Sequence, residues 1–231
     1  MVGGASQDPL TVPQESIGNA MPDTYRSFRE LQDSEREGKD WARKHEDRGS
    51  RILLLAPHGG WIEPLTTELA QAVAGPDFSF YSFLGLKDGG NARLHLTSHR
   101  FDDPLALEAV AKADRVLAIH GERSRHGAFV MVGGRWDELR MALSRVLGEA
   151  GFRVREPREG LGGLHRRNIC NRGRLGAGGQ LELSEGLRMH FRRDSANQQA
   201  FVRAVRRVLL AFEEDLKKDG GGEGREGGFH E

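Results

Sequence analysis

The stretch Ile52-Leu-Leu-Leu-Ala-Pro-His-Gly-Gly-Trp-Ile-Glu-Pro-Leu-Thr-Thr-Glu68 constrains the fold more than any other part of the chain. Ile52 to Ala56 is an unbroken apolar run with the length of a buried strand. Pro57 has no N–H to continue a ladder and is read as the end of that strand. His58, Gly59 and Gly60 follow, and glycines allow both a sharp turn and the close approach of a ligand. Pro64 suits the first turn of a helix, which places Glu63 about where that helix starts, and Leu65, Leu69 and Val73 recur at helical spacing. A strand–turn–helix unit with an imidazole and a carboxylate on its turn fits an open α/β sheet, in which ligands bind at such turns. The same turn is open to two other uses. Glycine turns bind phosphate through backbone N–H groups, although neither a Walker pattern nor a nearby lysine accompanies this one. His58 could also simply satisfy local backbone, and a His and a Glu five residues apart do not decide the matter alone.

The remaining composition narrows the function classes. The chain has 231 residues, enough for one large α/β domain or two small ones. Lys and Arg number 34 and so do Asp and Glu, and a zero net charge argues against a nucleic-acid binder, which needs a basic excess. Cys170 is the one cysteine, so no internal disulfide can form. Met1 to Asp23 lacks the basic and apolar regions of a secretory signal, and no apolar run is long enough to span a bilayer. A cytoplasmic protein without a membrane partner is expected.

Along the chain, residues 1–24 are expected to be disordered, 25–216 to form one domain, and 217–231 to be a disordered tail. Tyr25, Phe28 and Leu31 suit a short amphipathic helix, and Asp40 to Arg48 reads as a solvated segment. Phe78 to Phe83 is strand-like. In Asn91 to Ser98, Leu94 and Leu96 alternate with Arg93, His95 and Thr97, which again predicts a strand. Asp103-Pro104 reads as an N-cap and first helical residue, with the helix running to Ala113. Arg115 to Ile119 is a further buried strand, and it too ends in His-Gly, at His120-Gly121. Two strands ending this way bring two imidazoles together if they are parallel neighbours. A loop holding Arg123, Arg125, His126 and Gly133-Gly134 comes next, then a helix from Asp137 to Gly148 stopped at Gly151, and a short strand from Phe152 to Arg155. A Gly- and Arg-rich loop over 157–179 is long enough to be functional or mobile. Gln180 to Ser184 is a strand with Glu182 between two leucines, and Ser195 to Leu216 is a long helix. Strands alternating with helices give the α/β class.

Seven segments together resemble the zinc-dependent poly-γ-glutamate hydrolases of phages and bacteria. They are Ala56 to Pro64, Tyr81 to Gly85, Leu94 to Ser98 with Phe101 to Pro104, Ile119 to Gly121, Val132 to Gly134, Asn168 to Arg172, and Gln180 to Ser184. The resemblance implies a single α/β domain, a mixed central sheet flanked by helices, as in the zinc carboxypeptidases. It further implies that His58, Glu63 and His120 are the zinc ligands and Glu182 the general base. Three protein ligands leave the fourth position of a catalytic zinc to water, whose pKa the metal lowers to about 7. A carboxylate near that water can carry its proton to the leaving amine. Glu182, between Leu181 and Leu183, suits a cleft, and the plain alternative is the solvent face of an edge strand.

The implied substrate is a polyanion with a free α-carboxylate on every residue, and it calls for a cationic groove. Arg93, Arg123, Arg125, Arg135, Arg172 and Arg174 are the arginine candidates; Arg93, Asn171, Arg172 and His95 are the expected substrate contacts. His99 stands beside His95 as either a substrate or a supporting group. His126, His165, His190 and His230 are expected on the surface, and Cys170 in the core. Trp61 and Leu84 depart from the family pattern, and Trp61, between His58 and Glu63, bears on the pocket's shape. A monomer is expected, released on host lysis if a phage encodes it. Two alternatives stay open: a zinc hydrolase of another amide, such as a peptidoglycan peptide or an N-acyl amino acid, and a phage protein that keeps the fold without turnover.

Overall fold

Successive side chains of a strand point to opposite faces of its sheet, and the run after Arg51 uses both faces. In the computed structural model, which describes residues 23–220, β2 spans Ile52–Gly60. Ile52, Leu54 and Ala56 enter one hydrophobic core, and Leu53 and Leu55 enter a second on the other face. A strand apolar on both faces belongs at the middle of a covered sheet. The sheet has seven strands in the order β1-β3-β2-β4-β7-β5-β6, where β1 is Trp41–Glu46, β3 Ser79–Gly85, β4 Arg115–Glu122, β5 Val130–Gly134, β6 Val154–Arg155 and β7 Gly179–Ser184. Parallel pairing joins β3 to β2, β2 to β4, β4 to β7 and β5 to β6; β1 to β3 and β5 to β7 are antiparallel. The sheet is therefore mixed, as expected.

Helices cover both faces. The helices α2 (Thr66–Ala74), α4 (Asp137–Glu149), α5 (Glu185–Arg193) and α6 (Ser195–Gly220) bury Leu69, Leu143, Leu187 and Phe201 against the first core. The helices α1 (Phe28–Ser34) and α3 (Pro104–Lys112) bury Phe28, Leu31, Ala106 and Val110 in the second. Asp103 caps α3 as its sequence predicts, its carboxylate accepting from the Leu105 N–H. None of the described helices is long and apolar enough to cross a membrane.

Several expectations are corrected. Pro57 does not end β2, which continues to Gly60 across a bulge. Ala56 pairs with Ser82 and Gly59 with Leu84, so β2 carries one residue more than β3 over this step. A bulge is where a proline without an N–H fits inside a sheet. The helix after it begins at Thr66, later than Glu63. Asp40 to Arg48 is not merely solvated: most of it is β1, an edge strand whose first residue, Trp41, is fully buried. The aromatic anchor outweighs the charges around it.

Asn91 to Ser98 is not a strand but a 3-10 turn, Asn91–Leu94, followed by a connection. Its Leu94 and Leu96 are buried all the same, so the alternation marked burial without a ladder. Gly133-Gly134 ends β5 rather than lying in a loop, and α5, between Ser184 and Ser195, was not foreseen. Asp23, assigned to the N-terminal segment, is anchored by its carboxylate to His95 and the Thr97 N–H. Lys217 to Gly220 continue α6 rather than starting the tail. The remaining residues of the two expected disordered segments, 1–22 and 221–231, lie outside the described residues, as does His230.

Candidate metal centre

The β2 bulge decides which way His58 points. Odd-numbered residues of β2 up to Leu55 face the second core, and even-numbered ones face the first. Unbroken alternation would send His58 to the side of Ile52 and Leu54. The extra residue reverses the phase, and His58 emerges on the other face, its ring 6.3 Å from that of Phe101 in the second core. On β4, Leu117 and Ile119 face the first core, so His120 shares the face of Val116 and Ala118. On β7, Leu181 and Leu183 face the first core, which leaves Glu182 on the face of His120. Glu182 pairs in register with His120, on strands that run about 4.8 Å apart.

Glu63 reaches this cluster from the turn after β2. Its backbone N–H donates to the His58 carbonyl at 2.8 Å, and its own carbonyl accepts from Thr66 Oγ1 at 2.8 Å. Leu65, just before α2, has φ of 80°, a left-handed conformation rare for a bulky residue. Such strain persists where surrounding structure over-determines it, and it tends to cluster at functional sites. Glu63 Oε1 lies 3.0 Å from His58 Nδ1; Oε2 lies 3.6 Å from His120 Nδ1 and accepts the Gly121 N–H at 2.8 Å. The two Nδ1 atoms are 3.2 Å apart.

These three residues form a group that could hold a metal ion, and their donor chemistry fits one. The Leu96 carbonyl, 2.8 Å from His58 Nε2, can only accept. A neutral His58 therefore carries its proton on Nε2 and turns the Nδ1 lone pair toward the Glu63 carboxylate and His120. Lone pairs and a carboxylate so close repel one another unless a proton or a cation lies between them. Donors about 2.0–2.2 Å from a tetrahedral zinc stand roughly 3.3 Å apart, which matches the observed separations of 3.0, 3.2 and 3.6 Å. His120 Nε2 is buried with no partner among the described residues, so no other bond turns this ring away from the cluster.

Charge is divided unevenly between the two carboxylates. Burial would raise the Glu63 pKa, but the facing imidazoles outweigh it and hold this carboxyl well below the usual range. Burial and the nearby Glu63 charge push Glu182 well above it, against the Gln180 Nε2–H, which donates to Glu182 Oε1 at 2.8 Å. Gln180 is itself fixed: Nε2 also donates to the Leu161 carbonyl at 3.1 Å, and Oε1 accepts from Asn168 Nδ2 at 3.0 Å.

The expected substrate contacts divide. The His95 ring stacks on His58 at a centroid distance of 4.1 Å and is held through Nδ1 by Asp23 at 2.8 Å. Arg93 is exposed, with Nη2 3.5 Å from the Tyr25 hydroxyl, and Arg172 is exposed, with Nη1 donating to the Phe101 carbonyl at 3.2 Å. Asn171 is buried and its amide is engaged within the long loop. Nδ2 donates to the Gly163 and His165 carbonyls, and Oδ1 accepts from the Gly178 N–H. Arg174 lies away from the cluster: its Nε donates to Asp114, immediately before β4, at the opposite end of that strand from His120. His126, His165 and His190 are exposed, and Cys170 is buried, its thiol pushed up to about 12 by burial.

Reading the sequence missed Gln180, Asp23 and Gly121 as neighbours of the cluster. Gln180 had a usable signal, lying two residues before Glu182 on a strand where that spacing shares a face. Gly121 had one too, as the residue after the second histidine.

The poly-gamma-glutamate hydrolase family model matches residues 25–208. The chain is 34% identical over 200 residues to the UPF0714 protein YmaC of Bacillus subtilis (strain 168), covering 81% of this chain and 84% of YmaC. Its fold is similar to a solved bacteriophage poly-gamma-glutamate hydrolase at a TM-score of 0.79, with 29% identity over 84% of this chain and 99% of the other. It is also similar to the zinc-free apo structure of YndL at a TM-score of 0.76, with 31% identity over 82% of this chain and 98% of the other. A match that runs from just before the first helix to the middle of the last takes in the whole sheet and the His58–Glu63–His120 cluster, and the chain belongs to the poly-gamma-glutamate hydrolase family.

Proposed function

We propose that the protein is a zinc-dependent amidohydrolase that cleaves γ-glutamyl amide bonds of poly-γ-glutamate. In this reading His58, Glu63 and His120 hold the zinc and Glu182 is the general base. The observation that carries it is the convergence of two Nδ1 atoms and a carboxylate at zinc-like spacing, with a buried carboxylate in register on the next strand. The zinc-free state of the YndL relative supports the choice of metal.

Zinc held by such a set polarises the scissile carbonyl and makes a water molecule acidic enough to react near neutral pH. The protein's own groups do the rest. Glu182 accepts a proton as the water oxygen attacks the γ-amide carbon, and returns it to the amine nitrogen as the C–N bond breaks. Gln180 holds the Glu182 carboxylate in place through its amide. Gly121 does the same for Glu63 through its N–H. The Leu96 carbonyl fixes the tautomer of His58, a supporting contact of the kind that raises ligand basicity.

Substrate recognition falls to the groups at the rim. His95, stacked on His58, meets the chain nearest the reacting bond, and the exposed Arg93 and Arg172 bind α-carboxylates along it. Asn171 acts by shaping the loop rather than by touching substrate. Incubation of the purified protein with poly-γ-glutamate, followed by size-exclusion chromatography, tests the reading. Chain shortening that stops on chelation is expected. An intact polymer, with cleavage instead of a peptidoglycan peptide or an N-acyl amino acid, would overturn the substrate.

A further inference from the structure

Arg188 on α5 is 6% exposed, although arginine is almost never so buried without compensation. Its guanidinium makes no ion pair with a carboxylate among the described residues. It donates instead to three backbone carbonyls: Nε to Leu183 at 3.2 Å, Nη1 to Pro64 at 2.7 Å and Nη2 to Glu122 at 3.0 Å. These acceptors sit on three separate segments. Pro64 follows Glu63 in the turn after β2, Glu122 stands two residues beyond His120 at the end of β4, and Leu183 follows Glu182 on β7. The guanidinium also lies against Gly121, where an added Cβ would come within 2.6 Å of Arg188 Cζ. The N–H of this same Gly121 holds Glu63 Oε2.

We infer that Arg188 is a positioning residue for the metal centre, its guanidinium tying the backbones that carry Glu63, His120 and Glu182 into one geometry. The inference rests on the proposed zinc reading. The shape of the group matters as well as its charge. A planar fork with five N–H donors reaches three carbonyls in fixed directions, whereas an ammonium is a point charge with freely turning donors. A purely structural arginine would affect folding and leave the metal indifferent. A positioning arginine sets how well three donors meet a metal, and supporting contacts of this kind are worth about 10–100-fold in metal affinity.

The test compares R188K with R206K. Arg206 also donates to two backbone carbonyls, of Val73 and Ala74 at 2.7 and 2.9 Å, but at the far end of α2 from the cluster. Zinc affinity is read by competition with a chelator, and ligand geometry by the visible spectrum of the cobalt-substituted protein. R188K is expected to bind zinc at least ten-fold more weakly and to change the cobalt spectrum, while R206K leaves both as in wild type. Wild-type affinity and spectrum in R188K, or equal losses in R206K, would overturn the inference. If R188K does not fold, G121A keeps the arginine and displaces its guanidinium. Weakened zinc binding there supports the role, and unchanged binding overturns it. A wild-type protein that binds no zinc would instead overturn the zinc reading, and the inference with it.

Discussion

The Nδ1 atoms of His58 and His120 lie 3.2 Å apart although the residues are 62 positions apart in the chain. Parallel pairing of β2 with β4 brings the two strand ends together, and the bulge at Pro57 turns the first imidazole toward the second. A single extra residue in one strand thus determines whether the cluster exists.

The glycine after His58 makes this arrangement testable. A Cβ at Gly59 would collide with the hydroxyls of Thr67 and Ser82 and approach the Phe83 carbonyl at 2.9 Å. Those two hydroxyls are already 2.8 Å apart, and Thr67 Oγ1 accepts the Gly60 N–H at 3.1 Å. Gly59→Ala is expected to cost about 1–3 kcal/mol, the usual range for overpacking, and to weaken zinc binding by shifting His58. Urea denaturation and metal competition measure the two effects; a variant with wild-type values in both would show that the bulge tolerates a side chain.

Glu182→Gln keeps the size of the side chain and removes its basicity. Zinc content and thermal stability are expected to stay near wild type, while kcat falls by roughly 10²–10⁴-fold, the usual contribution of a general base. Turnover close to wild type would remove Glu182 from the proton transfers.

Arg172→Lys is expected to lower kcat/KM on poly-γ-glutamate with zinc content unchanged, because lysine cannot hold a carboxylate with two parallel bonds. Arg93→Lys is the companion variant. If only the latter is impaired, the carboxylate clamp belongs to Arg93; if neither is, these arginines do not read the substrate.

Asp23 ties the residues before α1 to the site. Its side chain is 1% exposed, and it accepts from His95 Nδ1 and the Thr97 N–H, both at 2.8 Å. Burial alone would raise its pKa, but these bonds hold it at about 2, below the ordinary 3.8. A depressed carboxylate adds stability above its unfolded pKa, and that contribution disappears as pH falls through the folded value. Asp23→Asn is therefore expected to be less stable than wild type at pH 6, with the gap closing between about pH 4 and pH 2. Urea denaturation across that range measures it; a gap independent of pH would assign the loss to packing.

Much of the candidate site was legible in the sequence, because its residues sit on short local patterns. An apolar run followed by His-Gly occurs at both His58 and His120, and alternation marks Glu182 between two leucines. The α/β class followed from the same runs. What the sequence concealed was set by tertiary contact. Trp41 drew a highly charged segment into an edge strand, and Leu94 and Leu96 were buried by a turn that mimics strand alternation. The bulge was hidden because a proline after an apolar run usually marks an end. Arg188 was hidden because its three partners are backbone carbonyls, which carry no residue-type signal.

Metal analysis of the purified wild-type protein beside His120→Ala tests the central claim most directly, with poly-γ-glutamate cleavage measured on the same samples. The account predicts one zinc per wild-type chain, loss of both zinc and cleavage in His120→Ala, and return of wild-type cleavage when zinc is restored after chelation. Full cleavage by wild-type protein stripped of metal, or by His120→Ala, would contradict it.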